Sequence, residues 1–413
     1  MPLNTPLECL KRDMPGVMAP LARLWAILPD ARLVGGAVRD LLCGRGVADI
    51  DLATPHAPDV VMARLKDAGI KVVPTGLAHG TVTAVLDGRP FEITTLRRDE
   101  ETDGRHATVA WTHDWREDAA RRDFTINAMS CDSAGVVHDY FGGRADLAAG
   151  RVRFVGEART RIVEDALRIL RFFRFQARYG QGTPDAEAMA AITALAGLID
   201  RLSVERIWSE LRRILAGPHV IVTLEQMAGC GVLAHVLPPP WNIGLLARLI
   251  ACGAPEDAVL RLAALLEGDV QAVARHLRLS RADGAALAQA RATPVPRPGM
   301  DKADIARLLA DHGLRDLLWR AWLGQAAAVG APDPAWDALR GALMATAKPV
   351  FPLTGRDLLA AGCVPGAAMG QVLAQVRRWW LENGCTPTHA ACQAHMRAVL
   401  GGPGPDGPRP AGT

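Results

Sequence analysis

The sequence predicts an α+β fold in which a small mixed sheet near the N-terminus is followed by helices alone. Two observations carry this prediction. Within about the first 150 residues, short apolar or alternating segments are separated by glycine-containing turns. From Arg161 onward, alanine and leucine recur at helical spacing, and Gly-Pro and Pro-rich segments interrupt them. The chain has 413 residues, which is too long for one compact core, so we expect about two to four domains.

The N-terminal elements follow from spacing and from turn residues. In chain order we expect a helix at 16–29, a strand at 32–36, a helix at 39–43, a strand at 48–53, a helix at 59–68, and strands at 71–73, 81–86 and 90–96. The last two strands are joined by Asp87-Gly88, a dipeptide that favours a tight hairpin turn. Strands and helices are therefore mixed in this part of the chain.

Composition narrows the class of protein. Hydrophobic residues make up 49% of the chain, which is enough for several buried cores. No stretch of about 18 apolar residues is free of charge, so no membrane helix is predicted. The eight cysteines include no CxxC pair, which favours neither a thiolate zinc site nor a disulfide framework. With no signal-like N-terminal pattern, these features predict a cytoplasmic protein.

The distribution of charge along the chain says more about possible partners than the net charge does. The net charge of +3 is too small to indicate nucleic-acid binding by itself. Segment 151–178, however, carries eight arginines against three acidic residues. Such a run suits a phosphate-rich partner, although a solvated helix face would have the same composition.

The segment Leu33–Thr54 contains two patterns typical of phosphate chemistry. Gly35 and Gly36 follow a predicted strand and precede a predicted helix, where glycine exposes backbone N–H groups to phosphate. Arg39 would add a charge-assisted contact, and Asp40 would hold that arginine in place. An ordinary tight turn with a surface ion pair remains the alternative.

The second pattern is Asp49-Ile50-Asp51. In a strand, side chains two residues apart point to the same face, so the two carboxylates would project together while Ile50 enters a core. Two adjacent carboxylates repel each other unless a cation lies between them. Mg²⁺ is usually bound by one or two carboxylates together with substrate phosphates. The alternative is a solvated acidic pair at a strand end.

Glu92 lies in the predicted strand that contains Phe91 and Ile93. Alternation places Glu92 on the face opposite to these two apolar residues. It could complete a carboxylate cluster with the DxD aspartates. It could equally pair with a nearby arginine, either Arg97 or Arg98, and the sequence does not choose between these interpretations.

Segment 121–128, RRDFTINA, supplies donors and acceptors suited to phosphate and to ribose hydroxyls, namely Arg122, Asp123 and Asn127. A capped loop at a helix start, with Asp123 or Thr125 as the cap, would explain the same residues.

Segment 164–174, EDALRILRFFR, suggests recognition of a nucleotide base. On a helix, Asp165, Arg168 and Arg171 would share one face, whereas Arg174 drifts away from it. A carboxylate acceptor beside a guanidinium donor can pair with the Watson–Crick edge of a base. The protein itself would then select the nucleotide. The alternative is a set of helix-surface ion pairs, each of small energetic value.

Taken together, these motifs identify a resemblance. GGAVRD, DID, EITTLR, RRDFTINA and EDALRILRFFRF occur in this order over about residues 33–178. They resemble the class II (bacterial-type) tRNA nucleotidyltransferase and poly(A) polymerase family. The glycine turn followed by DxD also resembles the layout of nucleotidyltransferases related to DNA polymerase beta. Segment 202–215 extends the likeness, and segment 352–373 does so more loosely.

The resemblance implies a polymerase-beta-like nucleotidyltransferase head followed by helical domains. The implied domains are a catalytic head at 1–150, a base-recognising neck at 151–217, a body at 218–348, a tRNA-binding tail at 349–400 and a disordered C-terminus at 401–413. The implied reaction is template-independent addition of CMP and AMP, from CTP and ATP, to the 3′ end of tRNA by a two-metal mechanism with release of pyrophosphate.

The resemblance also implies roles for individual residues. Asp49 and Asp51 would hold Mg²⁺; Gly36 and Arg39 would bind the triphosphate; Arg122 and Asp123 would contact phosphate and ribose; Asp165 and Arg168 would read the base with Arg171 and Arg174 nearby; Gly35, Asp40, Glu92 and Asn127 would support the site. The segment 99–118, which contains Gly104, resembles the flexible element that reorganises between C and A addition.

Several alternatives share these motifs. A poly(A) polymerase, or an enzyme that adds only CC or only A, would show the same core. A non-catalytic RNA-binding protein is disfavoured by the intact Asp49 and Asp51. An attached His-Asp phosphohydrolase is also disfavoured, because Asp311-His312 has the reverse order. The expected partners are tRNA, CTP and ATP, and neither DNA nor a membrane is expected.

Overall fold

The computed structural model of the protein describes residues 5–47, 49–99 and 109–401. The chain divides into two compact units, Met1–Pro238 and Pro239–Thr413. Every strand in the described part belongs to the first unit, and the elements of the second unit are helices. This arrangement confirms the predicted α+β fold. The predicted disordered segment 401–413 lies, apart from Gly401, outside the described residues.

The first unit contains a seven-stranded sheet and a two-stranded sheet. The strands are β1 (Arg32–Val34), β2 (Asp51–Thr54), β3 (Lys71–Gly76), β4 (Thr81–Leu86), β5 (Arg89–Thr95), β6 (Arg97–Asp99), β7 (Val109–Trp111), β8 (Met129–Cys131) and β9 (Val137–Asp139). The order in the larger sheet is β3-β4-β5-β2-β1-β8-β9, and β6 pairs with β7. Only the β2–β5 pairing is parallel among these described strands, so the sheet is mixed, as predicted.

Strand alternation positions the carboxylates. Phe91 and Ile93 of β5 are buried in the core of the sheet-containing part, and Glu92 between them is exposed. Asp87 and Gly88 have φ angles of +49° and +75°, as expected for the two central residues of a type I′ hairpin turn. The predicted face of Glu92 and the predicted turn are both confirmed.

The helices of the first unit surround the sheet and then continue the chain. They are α1 (Pro6–Asp13), α2 (Pro15–Ile27), α3 (Gly36–Leu42), α4 (Pro58–Asp67), α5 (Trp115–Ala120), α6 (Gly143–Ala148), α7 (Ala158–Glu164), α8 (Leu167–Tyr179), α9 (Ala186–Leu195), α10 (Val204–Leu215), α11 (Val220–Gly229) and α12 (Val232–Val236). Three 3-10 turns lie at Leu77–His79, Thr125–Asn127 and Ala196–Arg201. The amphipathic helix α8 buries four aromatic rings, which pack against each other and against the turn that contains Phe124.

Two predicted boundaries are wrong. The strand expected at 48–53 begins only at Asp51, so Asp49 precedes it, while Ile50 is buried as expected. The continuous helix expected through Asp165 is interrupted there, because Asp165 has extended backbone angles (φ −152°, ψ 103°) between α7 and α8. Its side chain accepts the N–H of Leu167 at 3.1 Å. An aspartate that bonds to the backbone two residues ahead competes with the helix and favours its end.

The second unit consists of ten described helices. They are α13 (Ile243–Ala251), α14 (Ala258–Leu265), α15 (Val270–His276), α16 (Arg281–Ala290), α17 (Lys302–Asp311), α18 (Leu314–Ala328), α19 (Pro334–Ala345), α20 (Gly355–Ala360), α21 (Ala367–Glu382) and α22 (His389–Gly401). One apolar cluster of this unit centres on Trp336 and a separate one on Trp380. None of the described helices, in either unit, combines the length and apolar character needed to cross a membrane.

Candidate active site

A cavity of about 510 Å³ in the first unit brings most of the predicted site residues together. It lies where the turn after β1, the start of β2, the segment after α5 and the start of α8 meet. The predicted residues that line it are Gly35, Gly36, Arg39, Asp51, Arg122, Asp123, Asn127, Asp165, Arg168 and Arg171. Val34, Arg121, Leu167, Phe175 and Arg206 complete the lining and were not predicted. Asp40, Asp49, Glu92 and Arg174 do not line it.

The turn between β1 and α3 requires glycine at position 35. Gly35 has φ +62° and ψ −123°, a region that strains residues with a side chain. A Cβ atom at this position would lie 3.0 Å from Nη1 of Arg122. Glycine therefore allows the Arg122 guanidinium to approach the backbone turn, so that both face the cavity.

Arg39 is fixed on several sides. Its Nε and Nη2 donate to the two carboxylate oxygens of Asp40 at 3.1 and 3.0 Å, and its Nη1 donates to Oδ1 of Asn127 at 2.5 Å. The hydroxyl of Tyr179 donates to Asp40 at 2.5 Å. The guanidinium also lies over the Phe175 and Tyr179 rings, 5.0 and 4.3 Å from their centroids. The predicted Arg39–Asp40 pair is thus present and anchored to α8.

Asp118 is a site residue that the sequence motifs did not reveal. It is only 3% exposed and accepts hydrogen bonds from Arg121 (Nε, 2.9 Å) and Arg122 (Nη2, 3.0 Å). Burial raises the pKa of Asp118, but the two arginines outweigh burial and hold the pKa below its ordinary value. The available signal was the spacing, because Asp118 precedes Arg121 and Arg122 by three and four residues at the end of α5.

Asp123 connects the segment after α5 to helix α8. Its Oδ2 accepts Nε of Arg171 at 2.7 Å, and its Oδ1 accepts the Asn127 side-chain amide at 2.9 Å and the N–H of Phe124 at 2.8 Å. Burial raises the pKa of this carboxyl, and Arg171 with the two other donors lowers it by more, so the net pKa is depressed. The residue that precedes the turn Thr125–Asn127 as its cap is Phe124, without a side-chain capping bond, so the alternative of a helix cap at Asp123 or Thr125 is wrong. Asp123 instead forms a long-range ion pair.

Asp165 and Arg168 both line the cavity but have different partners. Oδ2 of Asp165 accepts Nη2 of Arg206, on α10, at 2.8 Å. Nη1 of Arg168 donates to Glu164 at 2.5 Å, and its Nη2 donates to the carbonyl of Arg121 at 3.1 Å. Asp165 thus pairs with a residue of another helix and not with one on its own, and these contacts restrict both side chains beside the cavity.

Arg174 lies elsewhere on α8. Its Nε donates to Glu210 at 2.6 Å, and its guanidinium lies 4.4 Å from the centroid of the Phe175 ring. Glu210 is 3% exposed and also pairs with Arg213 at 3.2 Å. Arg174 therefore ties α8 to α10 instead of lining the cavity, in keeping with its predicted drift around the helix.

The three predicted carboxylates line one cavity beside the start of β2. Asp51 is the register partner of Glu92 in the parallel β2–β5 pair, and both residues line a second cavity of about 620 Å³ with Asp49. Burial, Glu92 and Asp49 raise the pKa of Asp51, whereas Arg122 opposes them. No ion pair joins Glu92 to either of the proposed arginines in the described part of the chain, and the residues that face it in the strand register are Asp51 and Thr83.

These carboxylates suit a divalent cation. A cation stabilises a carboxylate whose pKa is raised by burial and by neighbouring acids, as the pKa of Asp51 is, and oxygen donors are those that Mg²⁺ prefers. Within residues 5–47, 49–99 and 109–401, no group of three or more His, Cys, Asp and Glu side chains converges as a metal site. Two carboxylates with substrate phosphates form the usual Mg²⁺ ligand set.

The predicted flexible segment 99–118 is described only in part. Residues 100–108, including Gly104, lie outside the described residues. The remainder contains β7 and most of α5, and the N–H of Arg97, at the start of β6, donates to Asp118 at 3.3 Å. Arg97, just before this segment, and Asp118, at its end, are thus joined by a hydrogen bond.

Two protein families match this chain. Residues 31–153 match the family described as the poly A polymerase head domain. Residues 183–242 match the family described as the probable RNA and SrmB-binding site of polymerase A. The first match covers the glycine turn, the DxD aspartates, Glu92 and the RRDFTINA segment.

Relatives match over most of their length. The chain is 36% identical over 368 residues to the Danio rerio protein named CCA tRNA nucleotidyltransferase 1, mitochondrial, with 86% of this chain and 84% of that protein covered. It is 33% identical over 350 residues to the CCA-adding enzyme of Geobacillus kaustophilus, covering 80% and 83%. The structure is similar to the Bacillus stearothermophilus CCA-adding enzyme in complex with CTP, with a TM-score of 0.74, 27% identity, and coverage of 92% and 98%.

Proposed function

This chain belongs to the class II family of CCA-adding tRNA nucleotidyltransferases, and from that premise we propose that it completes the 3′ end of tRNA with CMP and AMP taken from CTP and ATP. The 3′-hydroxyl of the RNA attacks the α-phosphate of the nucleotide. A new P–O bond forms as the bond to the leaving pyrophosphate breaks. Each cycle lengthens the RNA by one nucleotide, and no nucleic-acid template directs the choice.

The position of Asp51 carries this proposal. Asp51 lines the cavity that contains the glycine turn and the α8 arginines. It also lines the second cavity, with Asp49 and Glu92, and a third of about 540 Å³ that includes Thr81 and Thr94. Asp51 therefore borders all three cavities. Such a carboxylate is suited to the transfer of a nucleotidyl group between two substrates that lie on either side of the reacting phosphate.

Members of this family use a divalent metal ion, and we propose that Asp49 and Asp51 hold Mg²⁺. Burial first, and then repulsion from Glu92 and Asp49, raise the pKa of Asp51, which supports this assignment. When bound, the metal would supply neutralisation of phosphate charge and easier ionisation of the attacking hydroxyl, in the manner of two-metal sites. Glu92, the register partner of Asp51, would add negative charge that strengthens cation binding.

We propose that the triphosphate lies over the turn after β1. Gly35 and Gly36 allow close approach of the backbone, and Arg39 and Arg122 supply guanidinium donors at its sides. Asp40 and Asn127 orient Arg39, as their hydrogen bonds to it indicate. Asp123, beside Arg122, would accept a ribose hydroxyl.

Base selection would fall to Asp165 and Arg168. Both line the cavity on the side of α8, and the backbone and ion-pair contacts of each restrict its side chain. An acceptor and a donor held at a fixed separation can distinguish the Watson–Crick edges of bases. Arg171 would keep Asp123 in place, and Arg174 would support α8 through Glu210.

The helical remainder would bind the tRNA. The proposed domains are a head at 1–150, a neck at 151–217, a body at 218–348 and a tail at 349–400. The end of β9 at Asp139 supports the first boundary, and the separate apolar cluster around Trp380 supports a distinct tail. A cytoplasmic location is also proposed. The eight free cysteines suit a reducing compartment, whereas the Danio rerio relative is named mitochondrial.

A selectivity experiment tests the proposed function. Purified protein, Mg²⁺, CTP and ATP are incubated with a tRNA transcript that lacks CCA and, separately, with an unstructured RNA of the same length. The proposal expects rapid incorporation of C and A into the tRNA and little into the unstructured RNA. Equal extension of both RNAs by A alone would instead identify a poly(A) polymerase. Binding of tRNA without incorporation would identify a non-catalytic protein.

A further inference from the structure

Asp118 contacts two arginines of the nucleotide cavity without lining that cavity itself. We propose that Asp118 is a positioning residue for nucleotide binding, which holds the Arg122 guanidinium against the Gly35 turn. This inference rests on the proposed function, because it assigns Arg122 to the triphosphate. It predicts that nucleotide affinity depends on a carboxylate outside the 510 Å³ cavity assigned to the nucleotide, since Asp118 lines the third cavity, of about 540 Å³, instead.

Asp118 fixes the orientation of Arg122. Its Nε and Nη2 donate to the same oxygen of Asp118, Oδ2, at 3.3 and 3.0 Å. Its Nη1 then points to the carbonyl of Asn127, at 3.4 Å, and to the position that a Cβ of Gly35 would occupy, at 3.0 Å. One edge of the planar guanidinium is thus fixed by Asp118. The opposite side is left for an anion at the turn.

Asp118 also reduces the repulsion among three neighbouring arginines. Arg97, Arg121 and Arg122 lie close together. Burial lowers the pKa of Arg121 most, and the positive charges of Arg97 and Arg122 lower it further, whereas Asp118 raises it. Three crowded guanidinium groups would move apart if no anion lay among them. Asp118 is therefore the charge that allows Arg122 to stay beside the turn before a nucleotide arrives.

Asp118 is itself held in place by hydrogen bonds. Its Oδ1 accepts hydrogen bonds from Nε of Arg121 at 2.9 Å and from the N–H of Arg97 at 3.3 Å. Its backbone N–H bonds to the carbonyl of Asp114 within α5. Because both carboxylate oxygens accept hydrogen bonds and the backbone N–H donates one, the carboxylate has one orientation. The hydrogen bonds to Oδ2 then fix the orientation of Arg122.

A simple structural role is the competing explanation. Ion pairs at spacings of three and four residues stabilise many helices without any part in binding. The same chain offers a matched comparison, since Glu210 has equal exposure and also pairs with two arginines, Arg174 and Arg213, away from the cavity. If Asp118 only stabilised the fold, Asp118→Asn and Glu210→Gln would have the same consequences.

The experiment measures the Kd of the full-length protein for ATP and for CTP, in Mg²⁺ and without RNA. Asp118→Asn should raise both Kd values about tenfold, as expected for loss of a charge-assisted contact to the anion. Glu210→Gln should lower the thermal unfolding midpoint with Kd within about twofold of wild type. In an Arg122→Ala background, Asp118→Asn should cause no further rise in Kd, because its effect passes through Arg122.

A folded Asp118→Asn protein with wild-type Kd would overturn the inference. An additional rise in the Arg122→Ala background, as large as in wild type, would do the same. If Asp118→Asn does not fold, Asp118→Glu keeps the charge and moves it by one methylene; the inference expects an intermediate Kd, and wild-type affinity would contradict it. Wild-type protein that neither binds nor incorporates nucleotides would count against the proposed function instead.

Discussion

Arg171 and Asp123 are 48 positions apart in the sequence and form an ion pair in which Nε donates to Oδ2 at 2.7 Å. The pair joins helix α8 to the segment that follows α5. Because Asp123 is 8% exposed and Arg171 is only partly exposed, the two sides of the nucleotide cavity are connected through a contact largely shielded from water. The shape of the cavity therefore depends on it.

The first prediction concerns pH. The depressed pKa of Asp123 means that the ionised carboxylate is stabilised in the folded state. That contribution is fully present above the unfolded value of about 3.9 and is lost as pH falls toward the lower folded value. Asp123→Asn should therefore cost about 1.5–3 kcal/mol of unfolding free energy near pH 7, and less below about pH 4. Denaturant titrations at several pH values measure this. A cost that is independent of pH would be inconsistent with the ion pair.

The second prediction concerns Asp51. Asp51→Asn should reduce incorporation to background, because the substitution removes one of the two carboxylates assigned to the metal. The Kd for tRNA should stay within about twofold of wild type, since Asn has nearly the same size and removes only one negative charge, which donates no contact to the RNA phosphates. Filter binding and nucleotide incorporation give both values. Asp59→Asn, at an exposed position of α4, is the control, and normal turnover in Asp51→Asn would refute the metal assignment.

The third prediction concerns base selection. Arg168→Ala should reduce discrimination between the correct nucleotides and GTP or UTP about tenfold, because a hydrogen-bonded base edge contributes about 1–3 kcal/mol. Turnover with CTP and ATP should fall as well. Arg159→Ala, at an exposed position of α7, removes the same charge away from the cavity and should leave selection unchanged. Unaltered use of all four nucleotides by Arg168→Ala would exclude this residue from base recognition.

The fourth prediction separates backbone strain from close approach. Gly35 and Gly44 have φ angles of +62° and +64°, so alanine strains the backbone at both positions. A Cβ at Gly35 meets Arg122 at 3.0 Å, whereas a Cβ at Gly44 meets nothing within 4 Å. Both alanine variants should therefore be less stable, by amounts that need not match, but only Gly35→Ala should raise KM for ATP and CTP. Equal KM values in the two variants would contradict the proposed triphosphate site.

Local features of this protein could be predicted from neighbouring residues. The hairpin at Asp87-Gly88 follows from the conformations that these two residues favour, and the exposure of Glu92 follows from strand alternation. The glycine turn was predicted on the same basis. In each case the relevant interactions lie within a few positions along the chain.

Contacts between distant helices could not be predicted in this way. Asp165 ends α7 and pairs with Arg206 of α10, although helical spacing suggested a partner on its own helix. Arg174 is paired with Glu210, 36 positions away. These partners depend on how α8 packs against α10, which no local pattern specifies. Asp118 was missed for another reason: it acts through Arg121 and Arg122 and carries no phosphate-binding pattern of its own.

The central claim is that one site adds both C and A in a fixed order. The most direct measurement is to sequence the 3′ ends of a tRNA transcript lacking CCA after incubation with the purified protein, Mg²⁺, CTP and ATP. The expected products end in CCA and stop there, with only C added when ATP is omitted. Long A tails without incorporated C, or products that end at CC when both nucleotides are present, would contradict the assignment.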